Sequence, residues 1–80
     1  MYYVYMLECS DGSLYTGITN NIEDRLKKHN AGTASRYTRA RGAVKIVSSE
    51  ELRTRGAALR QEAEIKRWPR ARKLGLIRGG

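Results

Sequence analysis

Eighty residues, 9.1 kDa, leave room for one hydrophobic core, so a single domain over residues 1–80 is expected. A hydrophobic content of 40% and a charged content of 30% exclude a disordered tail, no apolar run nears the ~20 residues of a membrane-spanning helix, and a lone Cys9 excludes an internal disulfide or a Cys/His zinc cluster. Sixteen Lys/Arg against eight Asp/Glu give a net charge of +8, which points to a nucleic-acid partner rather than a membrane, since no segment pairs a basic face with a broad apolar one.

The N-terminal MYYVYMLECSDG has no basic segment leading into an apolar one, so no secretory leader is expected and the protein is expected in the cytoplasm. Residues 2–9 (YYVYMLEC) and 14–19 (LYTGIT) are rich in β-branched and aromatic residues around an Asp11-Gly12 turn, the pattern of a β-hairpin. A two-residue turn would put Tyr5 and Tyr15 on opposite faces of the sheet, because side chains alternate with period two. A three-residue loop, Ser10-Asp11-Gly12, pairs Cys9 with Ser13, Leu7 with Tyr15 and Tyr5 with Gly17, which puts both phenols on one face. That loop, or another loop or bulge that restores the same parity, is expected, with Gly12 in the left-handed region and open space above the Tyr5 ring where Gly17 lacks a side chain.

A helix then follows from an Asn20 cap, with Glu23 at the capping-box position and Gly32 ending it. Residues 33–42 (TASRYTRARG) read as a basic loop with room for one helical turn, and 44–47 (VKIV) as a short third strand. A long helix over about 53–67 stops at Trp68-Pro69, and Pro69 opens a last helix to about Ile77. The order β-β-α-β-α-α predicts an α+β fold, a small three-stranded sheet flanked by helices. Its core should draw on Val4, Met6, Ile18, Ile22, Leu26, Val44, Ile46, Leu59, Ile65 and Leu74.

The positive charge is uneven. Residues 36–80 hold thirteen Lys/Arg against four glutamates, and eleven of the sixteen basic residues in the chain are arginines, whose planar forks suit phosphate. On the first helix Arg25 and His29 lie four apart beside the Ile22–Leu26 stripe and point toward the rim of the sheet. A snorkelling arginine and a half-buried structural histidine would satisfy the same pattern. On the long helix Glu62 falls between Leu59/Ala63 and Ala58/Ile65, at the centre of the apolar face. A carboxylate there needs an arginine, a metal ion or an opening, and an ion pair with Arg25 is one way to meet that need. Tyr5 and Tyr15 complete a set suited to phosphodiester hydrolysis, in which a phenol amid positive charge ionises below its reference pKa of about 10. Aromatic residues on strands are also ordinary packing.

These residues resemble the GIY-YIG nuclease superfamily, most closely its small stand-alone bacterial members. YVY at Tyr3–Tyr5 stands in the place of GIY and YTG at Tyr15–Gly17 in the place of YIG. Arg25 matches the family's catalytic arginine and Glu62, in ALRQEAEIKRW, its metal-binding glutamate, while His29 lies one turn beyond Arg25. The resemblance covers nearly the whole chain and implies a nuclease using one Mg²⁺ or Mn²⁺ ion, a tyrosine-assisted water and an arginine on the reacting phosphate. Tyr3 and Thr16 depart from GIY and YIG, and Ile18 stands where some relatives carry a lysine.

The expected function is therefore a metal-dependent endonuclease that cuts DNA rather than RNA with weak sequence specificity, any finer specificity coming from a protein partner or substrate shape. Tyr5, Tyr15, Arg25 and His29 would be catalytic and Glu62 would hold the metal. Arg36, Arg39, Arg41, Arg67, Arg70, Arg72 and Lys73 would grip phosphates. The competing expectation is a vestigial nucleic-acid-binding module in a repair or ribosome-associated complex.

Overall fold

The structure, a computed structural model, describes residues 1–34, 36–42 and 44–79, with the side chains of Val44 and Arg78 outside the description. The expected core position Val44 therefore lies outside the described residues as a side chain. Strands β1 (Tyr2–Cys9), β2 (Leu14–Thr19) and β3 (Val44–Leu52) form one antiparallel sheet in the order β2-β1-β3, with helices α1 (Ile22–Asn30), α2 (Arg36–Arg41), α3 (Arg55–Lys66) and α4 (Arg70–Gly79) around it. The α+β class and the three-stranded sheet are as expected.

The hairpin has the three-residue loop. Cys9 N–H donates to Ser13 O at 2.9 Å, Gly12 N–H donates back to Cys9 O at 2.9 Å, and Gly12 has φ +84°. Asp11 braces the loop by accepting from the Ser13 backbone and hydroxyl at 3.0 and 2.6 Å. Tyr5 consequently faces Gly17 and Leu7 faces Tyr15. One face of the sheet carries Tyr3, Tyr5, Leu7, Thr19, Gly17 and Tyr15; the other carries Val4, Met6, Ile18 and Thr16.

The first helix starts one residue later than expected. Asn21, not Asn20, is the cap, and its side chain accepts from Asp24 N–H at 3.0 Å, so Asp24 takes the third position in place of Glu23. The C-terminal end follows the sequence: Gly32 (φ +78°) donates to His29 O at 3.1 Å and Thr33 to Lys28 O at 2.9 Å. The basic loop is more ordered than expected, with a six-residue helix, α2, inside it. Strand β3 runs to Leu52, five residues beyond the VKIV segment, because Ser48, Ser49, Glu50 and Glu51 pair with Met6, Tyr5, Val4 and Tyr3. Pairing with β1 overrides their weak strand preference. The ladder shifts between Met6 and Leu7, which face Ser48 and Ile46 and leave Val47 as the extra residue.

Helix α3 covers the Val4/Met6 face: Val4, Met6, Ala58 and Ile65 form the buried cluster, with Ile18, Val47, Leu52, Trp68 and Ile77 packed against it. Several of the expected core positions are not fully buried. Leu59 is 39% exposed and Ala63 is exposed, so the buried side of α3 is the Ala58/Ile65 side. On α1 the buried residue is His29, whereas Ile22 and Leu26 are only half-buried. Ile46 and Leu74 are likewise half-buried, and the centre of the sheet is held by Leu7, Tyr5 and Cys9.

Candidate active site

Tyr5 sits in the central strand, and its ring crosses Gly17 on the neighbouring β2. A Cβ at Gly17 would lie 2.6 Å from the Tyr5 hydroxyl oxygen and 2.8 Å from Cζ. The space expected to stay open above the ring is therefore filled by the ring itself. Gly17 serves close packing, not substrate access.

The Tyr5 hydroxyl meets His29 Nε2 at 2.9 Å, and His29 Nδ1 meets Thr38 Oγ1 at 2.8 Å. All three groups are buried, His29 at 2% and Thr38 at 0% exposure. Three elements thus contribute one chain of polar contacts: β1 the phenol, α1 the imidazole, α2 the hydroxyl. Tyr15 is half-buried beside it, with its ring 5.2 Å from the imidazole, 6.4 Å from Tyr5 and 5.7 Å from Tyr37. Neither Thr38 nor Tyr37 was a sequence candidate. Both stand between Arg36 and Arg39 in the basic segment, and no local pattern there marks a hydroxyl that ends up buried.

Burial sets the protonation states. His29 is held below its ordinary pKa of 6.5, first by burial and then by the Arg25 charge, so it is a neutral imidazole at neutral pH. Burial also raises Tyr5 above the ordinary phenol value of 10.0, and Tyr15 and Glu62 add to that rise while Arg25 opposes it. The expectation of an easily ionised phenol fails at Tyr5. Desolvation there outweighs the arginine.

Arg25, on α1, is half-buried and its charge reaches both Tyr5 and His29. Glu62 comes from the other layer, since α3 packs on the Val4/Met6 face. Its effect on Tyr5 is the smallest of the four that act on that phenol. Its side chain is 19% exposed, at the margin of the apolar face rather than its centre, and its ion-pair partner among the described residues is Lys66 at 3.4 Å, not Arg25.

The family model described as the GIY-YIG catalytic domain matches residues 1–74. The chain belongs to the GIY-YIG family. The UPF0213 protein of Haloquadratum walsbyi is 49% identical over 79 residues, covering 99% of this chain and 89% of the relative. The UPF0213 protein of Syntrophus aciditrophicus is 51% identical over 77 residues, covering 95% and 88%. The solution NMR structure of the UPF0213 protein BH0048 from Bacillus halodurans is similar with a TM-score of 0.61 at 42% identity, covering 96% of this chain and 83% of that one. The GIY-YIG family is one of nucleases, which act on nucleic acid and generally use a divalent metal. No helix among the described residues is long and apolar enough to cross a membrane.

In this GIY-YIG domain no group of three or more His, Cys, Asp or Glu among the described residues forms a protein cage for a metal. A half-buried single carboxylate at Glu62 is a hard oxygen donor. It suits a Mg²⁺ or Mn²⁺ ion that keeps several waters and shares substrate phosphate. Lys66, itself 53% exposed, would have to leave the carboxylate.

Among the described residues, the basic side chains divide into those with a partner and those without one. Arg36 and Arg39 are exposed on α2. Arg41 instead pairs with Asp11 at 3.4 Å and lies 3.8 Å over the Tyr37 ring, while its backbone carbonyl accepts from Ser10 Oγ. Arg70 donates to Gly12 O at 2.9 Å, Arg67 pairs with Glu64, and Arg72 lies 4.1 Å over Trp68. Lys73 is half-buried. Two of these arginines, Arg41 and Arg70, hold the hairpin tip from the two layers of the fold.

Proposed function

We propose that this GIY-YIG domain, residues 1–80, is a divalent-metal-dependent endonuclease that hydrolyses DNA phosphodiester bonds in the cytoplasm with weak sequence specificity. The observation that carries the reading is the buried Tyr5–His29–Thr38 chain beside the more accessible Tyr15, with the Arg25 charge reaching it. Tyr15 orients the attacking water. Tyr5 stays protonated and passes its proton to His29 Nε2 as it accepts one from the water, so no phenolate accumulates in the buried site. This direction requires the Nδ1–H tautomer, with Thr38 Oγ1 as acceptor. Arg25 offsets the charge that builds on the reacting phosphate. A cation held by Glu62 supplies Lewis-acid polarisation of a phosphate oxygen when bound. Arg36 and Arg39 hold flanking phosphates, and finer specificity comes from a protein partner or substrate shape.

One observation favours a second reading, a nucleic-acid-binding module with a vestigial site: the Lys66 ammonium sits on the only proposed metal ligand. Supercoiled plasmid with Mg²⁺ or Mn²⁺ separates the two. Nicking by the wild type and none by Glu62→Ala, with both proteins binding DNA, is the expected result. Binding without nicking by the wild type would establish the second reading, and equal nicking by the variant would remove Glu62 from the chemistry.

A further inference from the structure

Beside the tyrosine cluster, residues of α1 and α3 border one cleft at the end of β2, an edge strand of the sheet. A cleft of about 340 Å³ opens there, lined by Tyr2, Ile18, Thr19, Asn20, Arg25 and Arg55. Two of the six lining residues are arginines and none is acidic. Among the described residues neither Arg25 nor Arg55 takes part in an ion pair, whereas Arg41, Arg67, Lys28, Lys45 and Lys66 each do. Two uncompensated cations facing one cavity repel each other, an arrangement that an anion relieves. The acids beside Arg25 in sequence lie outside the lining: Glu23 lines the adjoining depression with Tyr3 and Asn21, and Asp24 pairs with Lys28 at 3.2 Å.

We propose that this cleft is a second phosphate subsite, in which Arg55 and Arg25 hold the phosphodiester next to the one being cut, with Tyr2 offering a ring edge to its nucleoside. The assignment rests on the nucleic-acid reading above and extends it, since Arg55 belongs to no motif of the family resemblance and was not among the expected grips. Arg25 is the link between the two places. Its charge is felt at Tyr5 and His29 on one side, and its side chain lines the cleft on the other. A strand lying across Arg25 therefore leaves the tyrosines toward Arg55. The remaining polar groups fit an anion as well: Asn20 is exposed and carries a side-chain amide, while Thr19 Oγ1 is spent on Asn21 and only borders the cleft.

The test is the salt dependence of binding of a fluorescein-labelled duplex, by anisotropy in EDTA, for wild type, Arg55→Gln and Arg60→Gln. Arg60 is exposed on the same helix, five residues on and about 140° around it, so it controls for loss of net charge alone. Losing one duplex phosphate contact flattens the log-affinity against log-salt slope by about 0.9, so the fall in affinity between ~50 and ~200 mM salt shrinks about 3.5-fold for Arg55→Gln. Arg60→Gln keeps the wild-type slope, and Arg55→Lys, which restores a point charge, recovers it. Equal slopes for Arg55→Gln and wild type, or equal losses from both arginine variants, overturn the subsite. Plasmid nicking with an unchanged Arg55→Gln slope would reject the subsite while the nuclease reading stands. An Arg55-dependent slope without nicking would reject the nuclease and keep the subsite.

Discussion

Gly17→Ala tests whether the site depends on the Tyr5 ring lying on bare backbone. The new Cβ would sit 2.6 Å from the Tyr5 hydroxyl oxygen and 2.8 Å from Cζ, and 3.1 Å from a Tyr15 ring carbon. Carbon–carbon contacts settle near ~3.5 Å or more, so the Tyr5 ring must lift by roughly 0.7 Å. A shift of that size along the bond takes the Tyr5–His29 contact from 2.9 Å to about 3.6 Å, where it no longer counts as a hydrogen bond. Overpacking costs about 1–3 kcal/mol and the lost hydrogen bond about 0.5–1.5 kcal/mol. The lower chain entropy of alanine in the unfolded state returns about 0.5–1 kcal/mol. The net expectation is a loss of about 2–3 kcal/mol, or on the order of 10–20 °C in Tm for a domain this small. Urea melts followed by circular dichroism measure it. In a Tyr5→Leu background the same substitution should cost almost nothing, giving a coupling energy near ~2 kcal/mol. Gly17→Ala within ~0.5 kcal/mol of wild type, or an equal cost in both backgrounds, would refute the packing argument.

Folding stability should fall as pH drops below about 6.5, because His29 binds its proton less readily when folded than when unfolded, so the unfolded state gains protons first; a urea midpoint that is flat from pH 7.5 to 5 would contradict this. Thr38→Val should lower turnover roughly 10- to 100-fold with little change in DNA affinity, and Thr38→Ser should restore it; recovery of stability without recovery of turnover would make Thr38 purely structural. Replacing Arg36 and Arg39 by alanine should flatten the salt slope by about 1.8 in total, and adding Arg41→Ala should change it no further, since that guanidinium is engaged by Asp11 and Tyr37. A further drop with Arg41→Ala would show that DNA displaces Asp11.

Local chemistry made the hairpin legible. Asp11-Gly12 between two β-rich runs, with the period-two alternation, determined that Tyr5 and Tyr15 share a face, and the observed pairing of Tyr5 with Gly17 is the one that follows from a three-residue loop. The same locality explains Gly32 at the end of α1 and the break at Trp68-Pro69 before α4, because caps and proline act within a few residues of themselves. The placement of Arg25 and His29 on one side of α1 was legible for the same reason. The order of the three strands and of α1, α3 and α4, and with it the α+β class, also came from periodicity and turns, while α2 was read as a loop with room for one helical turn.

What tertiary structure decided is whatever depends on a partner distant in sequence. Ser48–Glu51 became strand only because β1 offers them a ladder, and Leu59 is exposed because the sheet meets α3 on its Ala58/Ile65 side. Arg41 left the pool of phosphate grips when the hairpin tip brought Asp11 to it from thirty residues away. Thr38 has no local pattern that marks it, and its significance lies wholly in the 2.8 Å contact with His29. Tyr5 shows the difference most clearly. Its position on the sheet follows from period two, a property of the strand. Its pKa follows from how much water the packed helices remove from around it, and an 80-residue sequence states that only once it is folded.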